Sequence, residues 1–476
     1  MPTFFHFLFS LMILLGLEGC ILMGPDYRRP EEKMPRGNWQ AALPHDGSRE
    51  NMTQWWGRFE DETLNRLLAA TLDHHPGLEG AWAAIEIARA GLVVQEAGGT
   101  VKTELAASAT RSGNHGNSPQ TYEMSTAASV VDATWEIDLF GRIRRASESA
   151  SAKVAARTAD WHGLRVSLAA EVATTYVEWR GCMRLLDSLA HERTSREQTL
   201  ASTLRAVEGG LVAPSDGDLA RAALDESRSQ WTLQQATCDM AIKSIVVLSG
   251  LEENEVRHLL KANTQLWPKI APFAVTTLPA RLLSQRPDLV ATEEELVAAN
   301  AEIGVAEASR YPRLSLLGSI GVGSVALGTN TLDNQPWSFG PALSLPLLDG
   351  GVRDANVRSA RGRWNMALAN YRQAVLNAVR EVENALVNLS GTRQRLQDTR
   401  SAAHGYASFL AASEKNWKTG GISLLNLEEA RRRSLGAERQ VIQLEKLEIQ
   451  QWINLYKALG GGWDPESIVA PTSRRA

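Results

Sequence analysis

Four segments of the chain alternate between apolar and polar side chains. Between residues 101 and 111, for example, Val101 and Leu105 fall on one side and Lys102 and Glu104 on the other. A period of two predicts a strand with one apolar face. The predicted strands are about 101–111, 125–138, 314–323 and 337–346, in two pairs separated by polar loops at 111–124 and 324–336.

Each strand pair is followed by about 70 residues without proline, rich in Ala, Leu, Arg and Glu. We expect long helices at about 142–209 and 351–419, each followed by a glycine turn and a return helix, at about 216–248 and 424–459. At 1.5 Å rise per residue, each long helix reaches roughly 100 Å. Such a helix must lie against equally long partners.

The same order of elements occurs twice, at an offset of about 210 residues. Arg286-Pro287-Asp288-Leu289 matches His75-Pro76-Gly77-Leu78, and Gly420-Gly421-Ile422 matches Gly209-Gly210-Leu211. The predicted organisation is a signal peptide (1–19), an extended tether (20–60), a first repeat (61–250), a connector (251–285), a second repeat (286–459) and a tail (460–476).

The N-terminus predicts export. The run from Phe4 to Leu17 is almost wholly apolar and too short for a membrane span, as in a signal peptide. Cys20 directly after it resembles the acylated cysteine of a bacterial lipobox. Glu18, and the absence of Lys and Arg before the apolar run, depart from that pattern, so a signal peptide with a coincidental cysteine is the alternative.

The overall composition does not point to nucleic acid. The net charge is −4 and the pI about 6.2, with no basic stripe interleaved with aromatic residues. Two further cysteines, Cys182 and Cys238, are equally distant from the turn at Gly209-Gly210 and could face each other across a helical hairpin. Two unpaired buried thiols are the simpler alternative, because disulfide geometry is demanding.

Two strand pairs in one chain cannot close a membrane barrel. Taken alone, the alternation favours a half-buried hairpin of a soluble domain, but the apolar faces end in Trp residues, as membrane strands do. Hydrocarbon does not tolerate open sheet edges, so a barrel of four strands per chain requires several chains. Three chains would supply twelve strands and twelve helical passes, a barrel continuous with a helical tube.

The sequence resembles a known family, the outer membrane factors of tripartite efflux systems (TolC-like and OprM-like channels), and most closely their NodT-like lipoprotein branch. The motifs that carry the resemblance are Cys20 with Gly24–Pro30, Trp135–Arg142, Arg286–Leu289, Gly340–Gly351 and Leu455–Trp463. The resemblance implies a homotrimeric, lipid-anchored channel in the bacterial outer membrane. It would extend into the periplasm and bind a periplasmic adaptor and an inner-membrane RND pump.

The resemblance also implies a gate just after the second glycine turn. By alignment, the constricting leucine is Leu425, the acidic residue is Glu429, and Arg432 is its candidate salt-bridge partner. The family more often has tyrosine at Leu424 and aspartate at Glu429. The alternative is a packing role for Leu425 and a solvated charge for Glu429. The turns themselves, Gly209, Gly210, Leu211, Gly420, Gly421 and Ile422, are the expected adaptor contacts.

No enzyme, metal site or cofactor is expected. The pair His74-His75 lacks ligand spacing and is interpreted as a helix break, and Gly318–Gly323 alternates as a strand and opens no helix. The run Arg431-Arg432-Arg433 is interpreted as a charged helix face. The main competing function is a lipid-anchored coiled-coil scaffold without a pore.

Overall fold

The computed structural model describes residues 22–30, 39–41, 43, 52–113, 123–262, 267–270, 272, 273, 275, 286–327 and 330–463. The predicted signal peptide, Cys20 and most of the tether and tail lie outside these residues. The chain divides into two compact units. The first comprises Met1–Glu31, Ala83–Thr158 and Ala291–Gln373, and the second Glu32–Trp82, Ala159–Val290 and Ala374–Ala476.

In both halves a helix is followed by strands, a long helix and a return helix. The helices are a 3₁₀ helix (Met52–Phe59), α1 (Glu62–His74), α2 (Pro76–Glu96), α3 (Arg142–Glu208), α4 (Pro214–Ser249), α5 (Glu253–Ala262), α6 (Pro287–Ala308), α7 (Val352–Lys418) and α8 (Leu424–Ala458). The strands are β1 (Lys102–Gly113), β2 (Glu123–Ile137), β3 (Arg313–Leu327), β4 (Asn330–Asn334) and β5 (Trp337–Ser344).

The two long helices are equal in length. α3 and α7 each contain 67 residues, against predicted ranges of 142–209 and 351–419. The return helices begin with different chemistry, because Pro214 occupies the first turn of α4 whereas the Ser423 hydroxyl caps α8 by accepting from the Asn426 amide at 3.3 Å. Among the residues described above, no helix is both long and apolar enough to cross a membrane.

The first unit contains an antiparallel sheet with an apolar and a polar face. β2 pairs with β1 and β3, and β3 pairs with β4 and β5. One row of directly opposed residues is apolar, and each member is at least 41% exposed: Leu105, Val131, Ile320 and Trp337. The next row, on the opposite face, is polar: Glu104, Asp132, Ser319 and Ser338. The predicted alternation therefore forms continuous stripes across the sheet.

The predicted loop at 324–336 is wrong. β3 continues to Leu327, and Asn330–Asn334 pairs back against its last five residues. β4 and β5 together are one strand interrupted near Pro336, which has no N–H to donate to the ladder. The Pro336 carbonyl still accepts from the Gly321 amide at 2.9 Å, which keeps the two pieces in register. The polar composition of the segment concealed a strand because both faces of β4 are exposed.

The second unit has an aromatic core around Trp55. Its ring stacks on Tyr456 with centroids 4.6 Å apart and meets Phe59 and Phe273 edge-on. Phe273 in turn contacts Trp452 of α8 at 5.2 Å. The connector and the end of α8 are therefore packed together by aromatic burial.

Two groups of hydrogen bonds and ion pairs also join the helices of this unit. Arg286 joins the start of α6 to α7 and α8, donating to Glu381 at 2.7 Å and to the Ala458 carbonyl at 2.7 Å. Glu445 of α8 accepts from Arg400 at 2.8 Å and also contacts Arg184. Burial opposes the ionisation of Glu445, but its hydrogen bonds with these arginines prevail and hold its pKa below the usual range.

Candidate functional site at the helix tips

Both long helices end in the same type of turn. Gly210 and Gly420 have φ values of +66° and +76°, the left-handed region that favours glycine. The next amides, those of Leu211 and Gly421, each donate at 2.8 Å to the carbonyl five residues earlier. This pattern closes a helix by satisfying its last carbonyls.

The turn geometry corrects the sequence alignment of the two copies by one residue. Gly209 was matched to Gly420, but the positive φ belongs to Gly210 and Gly420, so these two are equivalent. Thr419 then corresponds to Gly209. The sequence comparison pairs the first glycine of one Gly-Gly with the first glycine of the other. The left-handed conformation belongs to the second glycine of the first pair and to the first glycine of the second pair.

An apolar cluster lies immediately above the turns. Leu424 and Leu427 of α8 are buried against Ala220 of α4. Partly buried side chains from α3, from α7 and from the second turn complete the cluster: Leu200, Leu410, Trp417 and Ile422. The second-repeat tip is thus packed against the first. Of the predicted adaptor contacts, Leu211 is 80% exposed, whereas Ile422 is partly buried in this cluster.

The two predicted gate side chains lie outside this cluster. Leu425 is 64% exposed and therefore does not have the packing role within the chain that was its alternative. Glu429 contacts Arg432, the predicted partner, and also accepts from Arg433 Nε at 2.8 Å. These charges form an exposed group on one helix.

Two other charged residues, Glu428 and Arg431, are the buried ones at the tip, and each precedes a predicted gate residue in the sequence. The Arg431 side chain is only 7% exposed, and its Nη1 donates to Glu428 at 2.9 Å and to Thr199 Oγ1 of α3 at 2.8 Å. Glu428, 12% exposed, also lies 3.1 Å from Arg196 Nη1 of α3. The interpretation of all three arginines 431–433 as a solvated face is therefore wrong for Arg431.

The spacing of residues along α8 already indicated that Arg431 is buried. Leu424, Leu427 and Arg431 are spaced three and four residues apart, which places them on one stripe of α8. An arginine on an otherwise apolar stripe requires partners on the facing helix. The sequence could have placed Arg431 in the interior, but it could not show that Thr199 faces Arg431 or that Arg196 faces the neighbouring Glu428.

Farther from the first turn, Cys182 of α3 and Cys238 of α4 form a disulfide with Cα atoms 5.5 Å apart. Of the two alternatives drawn from the sequence, the structure has the bridge. Both residues are buried, on α3 and α4. The equal distance of both cysteines from the turn correctly indicated the bridge. The alternative of two unpaired thiols is wrong; the pairing depends on the rotation of each helix about its axis, which the sequence alone does not fix.

The predicted lipidation site, Cys20, lies outside the described residues. Residues 22–30, just after it, run along α6 and the start of α3 in the first unit. Arg145 donates from Nη2 to Asp26 at 2.7 Å, and Asn300 donates to a backbone carbonyl of this segment at 2.8 Å. Specific side chains therefore hold the segment that follows the predicted anchor.

Two motifs considered as catalytic candidates in the sequence have structural positions, a helix break and a strand. No group of three His, Cys, Asp or Glu residues there could hold a metal ion. His74 ends α1 and Pro76 begins α2, so the histidine pair lies at a helix break. Gly321 lies within β3, where an added Cβ would come within 2.9 Å of the Ser129 carbonyl. This glycine permits close strand approach and belongs to no phosphate loop.

The family described as Outer membrane efflux protein matches the chain twice, over residues 67–250 and 278–461. The chain belongs to this family, which confirms the resemblance found in the sequence. The two matched ranges correspond to the two structural repeats.

Individual relatives resemble the chain over nearly its full length. Outer membrane protein OprJ of Pseudomonas aeruginosa is 28% identical over 464 residues, covering 96% of this chain and 95% of OprJ. Nodulation protein T of Rhizobium leguminosarum bv. trifolii is 29% identical over 458 residues, covering 95% and 96%. The solved outer-membrane channel OprN has a TM-score of 0.80 at 29% identity, covering 93% of this chain and 99% of OprN. The chain thus has the two-repeat fold of TolC-like outer membrane channels.

Proposed function

We propose that three copies of this chain form a passive exit channel in the outer membrane, through which an efflux system releases small molecules. The observation that carries the proposal is the exposed apolar row Leu105, Val131, Ile320 and Trp337, which runs across the sheet opposite a polar row. A lipid-facing surface and a water-filled interior require this arrangement.

The sheet edges support an oligomer. β1 lies at one edge and β4 with β5 at the other, each paired on one side within the chain. Unpaired backbone groups at a membrane depth cost several kcal/mol each, so the edges need strands from other copies. With β4 and β5 counted as one strand, three chains supply twelve, a width consistent with an aqueous interior.

The helical tips are the proposed gate and docking site. Leu425, exposed within the chain, would form a ring of three apolar side chains that closes by dewetting, and Glu429 a ring of three carboxylates that favours cations. Arg432 would hold the Glu429 ring in position. The exposed turns at Gly209–Leu211 and Gly420–Gly421 would contact a periplasmic adaptor bound to a proton-driven inner-membrane pump. Acylated Cys20 would anchor the chain to the outer membrane.

Single-channel conductance in a planar lipid bilayer tests the gate. We expect Leu425→Ala with Glu429→Ala to raise the conductance of the purified trimer, because both rings narrow the tip. The matched control is Ser215→Ala with Leu219→Ala, the equivalent positions of the first repeat, which should leave conductance unchanged. Unchanged conductance in the gate variant would exclude a constriction at these residues.

The competing function, a lipid-anchored scaffold without a pore, makes the opposite prediction for the wild-type protein. A channel gives conductance steps and a trimer band on electrophoresis that disappears on heating. A scaffold gives neither conductance nor a use for the exposed apolar row. Trimers that insert into bilayers without conducting ions, both as wild type and with the tip substitutions, would favour the scaffold.

A further inference from the structure

A cavity of about 610 Å³ in the second unit is lined by α3, α7, the start of α6 and the end of α8. Four carboxamide side chains line it: Asn384 and Asn388 of α7, and Gln451 and Asn454 of α8. The members of each pair are three or four residues apart, so each pair lies on one face of its helix. The volume is within the range of small-molecule sites.

These four carboxamides are available to a ligand. Among the residues that the structure describes, none of the four side chains forms a hydrogen bond, although Gln451 is only 8% exposed. A polar side chain that is this deeply buried normally has a partner. Each carboxamide offers two N–H donors and one carbonyl acceptor. The cavity therefore presents a concentration of donors and acceptors that the chain itself does not use.

The rim of the cavity is held by Arg286. Its guanidinium donates to Asp288 at 2.8 Å, to Glu381 of α7 at 2.7 Å and to the Ala458 carbonyl of α8 at 2.7 Å. These bonds join three of the helices that line the cavity, so its shape is fixed before a ligand binds. A fixed site loses little freedom on binding, which favours affinity.

The remaining lining favours a neutral, hydroxyl-rich ligand. Asp160 and Lys457 add one charge of each sign, and Val166, Pro287 and Ala385 add aliphatic surface. A hydroxyl group both donates and accepts, so a molecule with several hydroxyls can satisfy several carboxamides at once. An ion of one sign would leave either the donors or the acceptors unpaired. Saccharides combine such hydroxyls with apolar C–H faces.

The cavity lies on the side of α8 that faces away from the aromatic core. Trp452 and Tyr456 pack in that core, and Asn454 is two residues from each of them, about 200° around the helix axis. The core also contains Trp55, from the segment that follows the predicted lipid anchor. A segment that leads to an anchor in the outer membrane lies outside the tube. In the proposed channel the cavity then faces the interior, a placement that rests on the proposed function.

We propose that this cavity, which we call the carboxamide cavity, is a binding site for a neutral saccharide or polyol on the inner wall of the channel. Asn384, Asn388, Gln451 and Asn454 bind the hydroxyl groups, and Arg286 positions the helices that carry them. Because each hydrogen bond contributes little net free energy in water, we expect a dissociation constant of about 1 mM. Such a ligand is held briefly and then released.

Saturation-transfer difference NMR with sucrose, on the full-length trimer in lipid nanodiscs, tests the site without a channel assay. We expect a sucrose signal that saturates in the millimolar range. Asn384→Leu and Asn454→Leu each remove one carboxamide at an exposed position, and each should raise the dissociation constant about fivefold. The matched control is Asn370→Leu, an exposed asparagine of α7 outside the cavity, which should leave the dissociation constant unchanged.

Competition tests the class of ligand. The zwitterion glycylglycine should not displace sucrose, because its two charges find no unpaired pair of partners in the cavity. Asn388→Leu takes the place of either variant that fails to form the heat-sensitive trimer. The proposal is overturned by displacement with glycylglycine, by the lack of a saturable sucrose signal in the wild type, or by equal affinity in the wild type and in Asn384→Leu with Asn454→Leu.

Conductance in a planar bilayer separates this site from the proposed channel. Brief interruptions of the wild-type current by sucrose, absent in Asn384→Leu with Asn454→Leu, support the site and its position on the inner wall. Sucrose binding in nanodiscs by trimers that never conduct supports the site and contradicts the channel. Conducting trimers that do not bind sucrose contradict the site and leave the channel standing. Binding without interruptions contradicts the position on the inner wall.

Discussion

The disulfide between Cys182 and Cys238 should contribute strongly to the stability of the first hairpin. It joins residues 56 apart in sequence and so closes a loop that contains the whole turn between α3 and α4. In the chain-entropy treatment, cross-linking a loop of this length removes enough freedom from the unfolded chain to stabilise the folded state by about 4 kcal/mol. The Cα separation of 5.5 Å is ordinary for a disulfide, so the backbone need not distort to form it.

The perturbation is Cys182→Ala with Cys238→Ala, which removes the bridge without leaving a reactive thiol. The helical signal of the full-length protein, followed by circular dichroism in guanidinium chloride, should show a midpoint lowered by an amount equivalent to about 4 kcal/mol. Wild-type protein unfolded in the presence of a reductant is the control, because it loses the same cross-link without any substitution.

Two results would refute this reasoning. A loss below about 1 kcal/mol would mean that the unfolded hairpin is already restricted without the cross-link. A large loss in the alanine variant but none in the reduced wild-type protein would place the effect in the packing of the substituted side chains. Because both sulfurs are buried, we further expect the native protein to resist reduction until it unfolds.

Two further outcomes follow from the same helices. Glu445→Gln should lower the unfolding midpoint at pH 7. Because the native pKa of Glu445 is depressed, its contribution is present above the unfolded pKa of about 4.3 and is lost as pH falls through the native value. The difference from wild type should therefore stay constant down to about pH 5 and shrink as the pH falls below about 4.3. A difference that does not shrink below about pH 4.3 would contradict the assignment. Thr392→Cys with Glu448→Cys, at the second-repeat equivalents of the native disulfide, should form a second bridge detectable by thiol labelling, and full labelling without reductant would contradict the equivalence.

The sequence was most informative where an element has one face toward the apolar side and the other toward water, because its apolar residues then recur at a regular spacing. The alternation at Val101–Arg111 predicted a strand face, and the structure extends that face across four strand segments as the row from Leu105 to Trp337. The absence of proline likewise predicted two long helices, because a single proline would have interrupted either one.

The features that the sequence did not settle all depend on a partner that lies far away in sequence. Arg431 and its neighbour Arg432 are the same residue type, but only Arg431 is buried, where its guanidinium donates to Thr199 of α3. The Cys182–Cys238 bridge depended on the rotation of two helices. β4 depended on pairing with β3, because its own residues, Asn330–Asn334, have no apolar face.

The two repeats have the same backbone plan but different chemistry at equivalent positions. The turn residues Gly210 and Gly420 coincide, yet one residue earlier a glycine in the first copy corresponds to Thr419 in the second. Continuing from these turns, the proposed gate positions Leu425 and Glu429 correspond to Ser215 and Leu219.

This divergence bears on the symmetry of the proposed channel. Six identical hairpins could close a tube with sixfold symmetry, but then any ring at the tip would contain six equal side chains. With two unlike repeats in each of three chains, a ring contributed by Leu425 or Glu429 has three members, alternating with three hairpins that carry Ser215 and Leu219 instead. The first hairpin is fixed internally by a disulfide, whereas charged contacts join the second to it. The two hairpins of one chain therefore differ both in the side chains that they bring to such a ring and in the bonds that hold them.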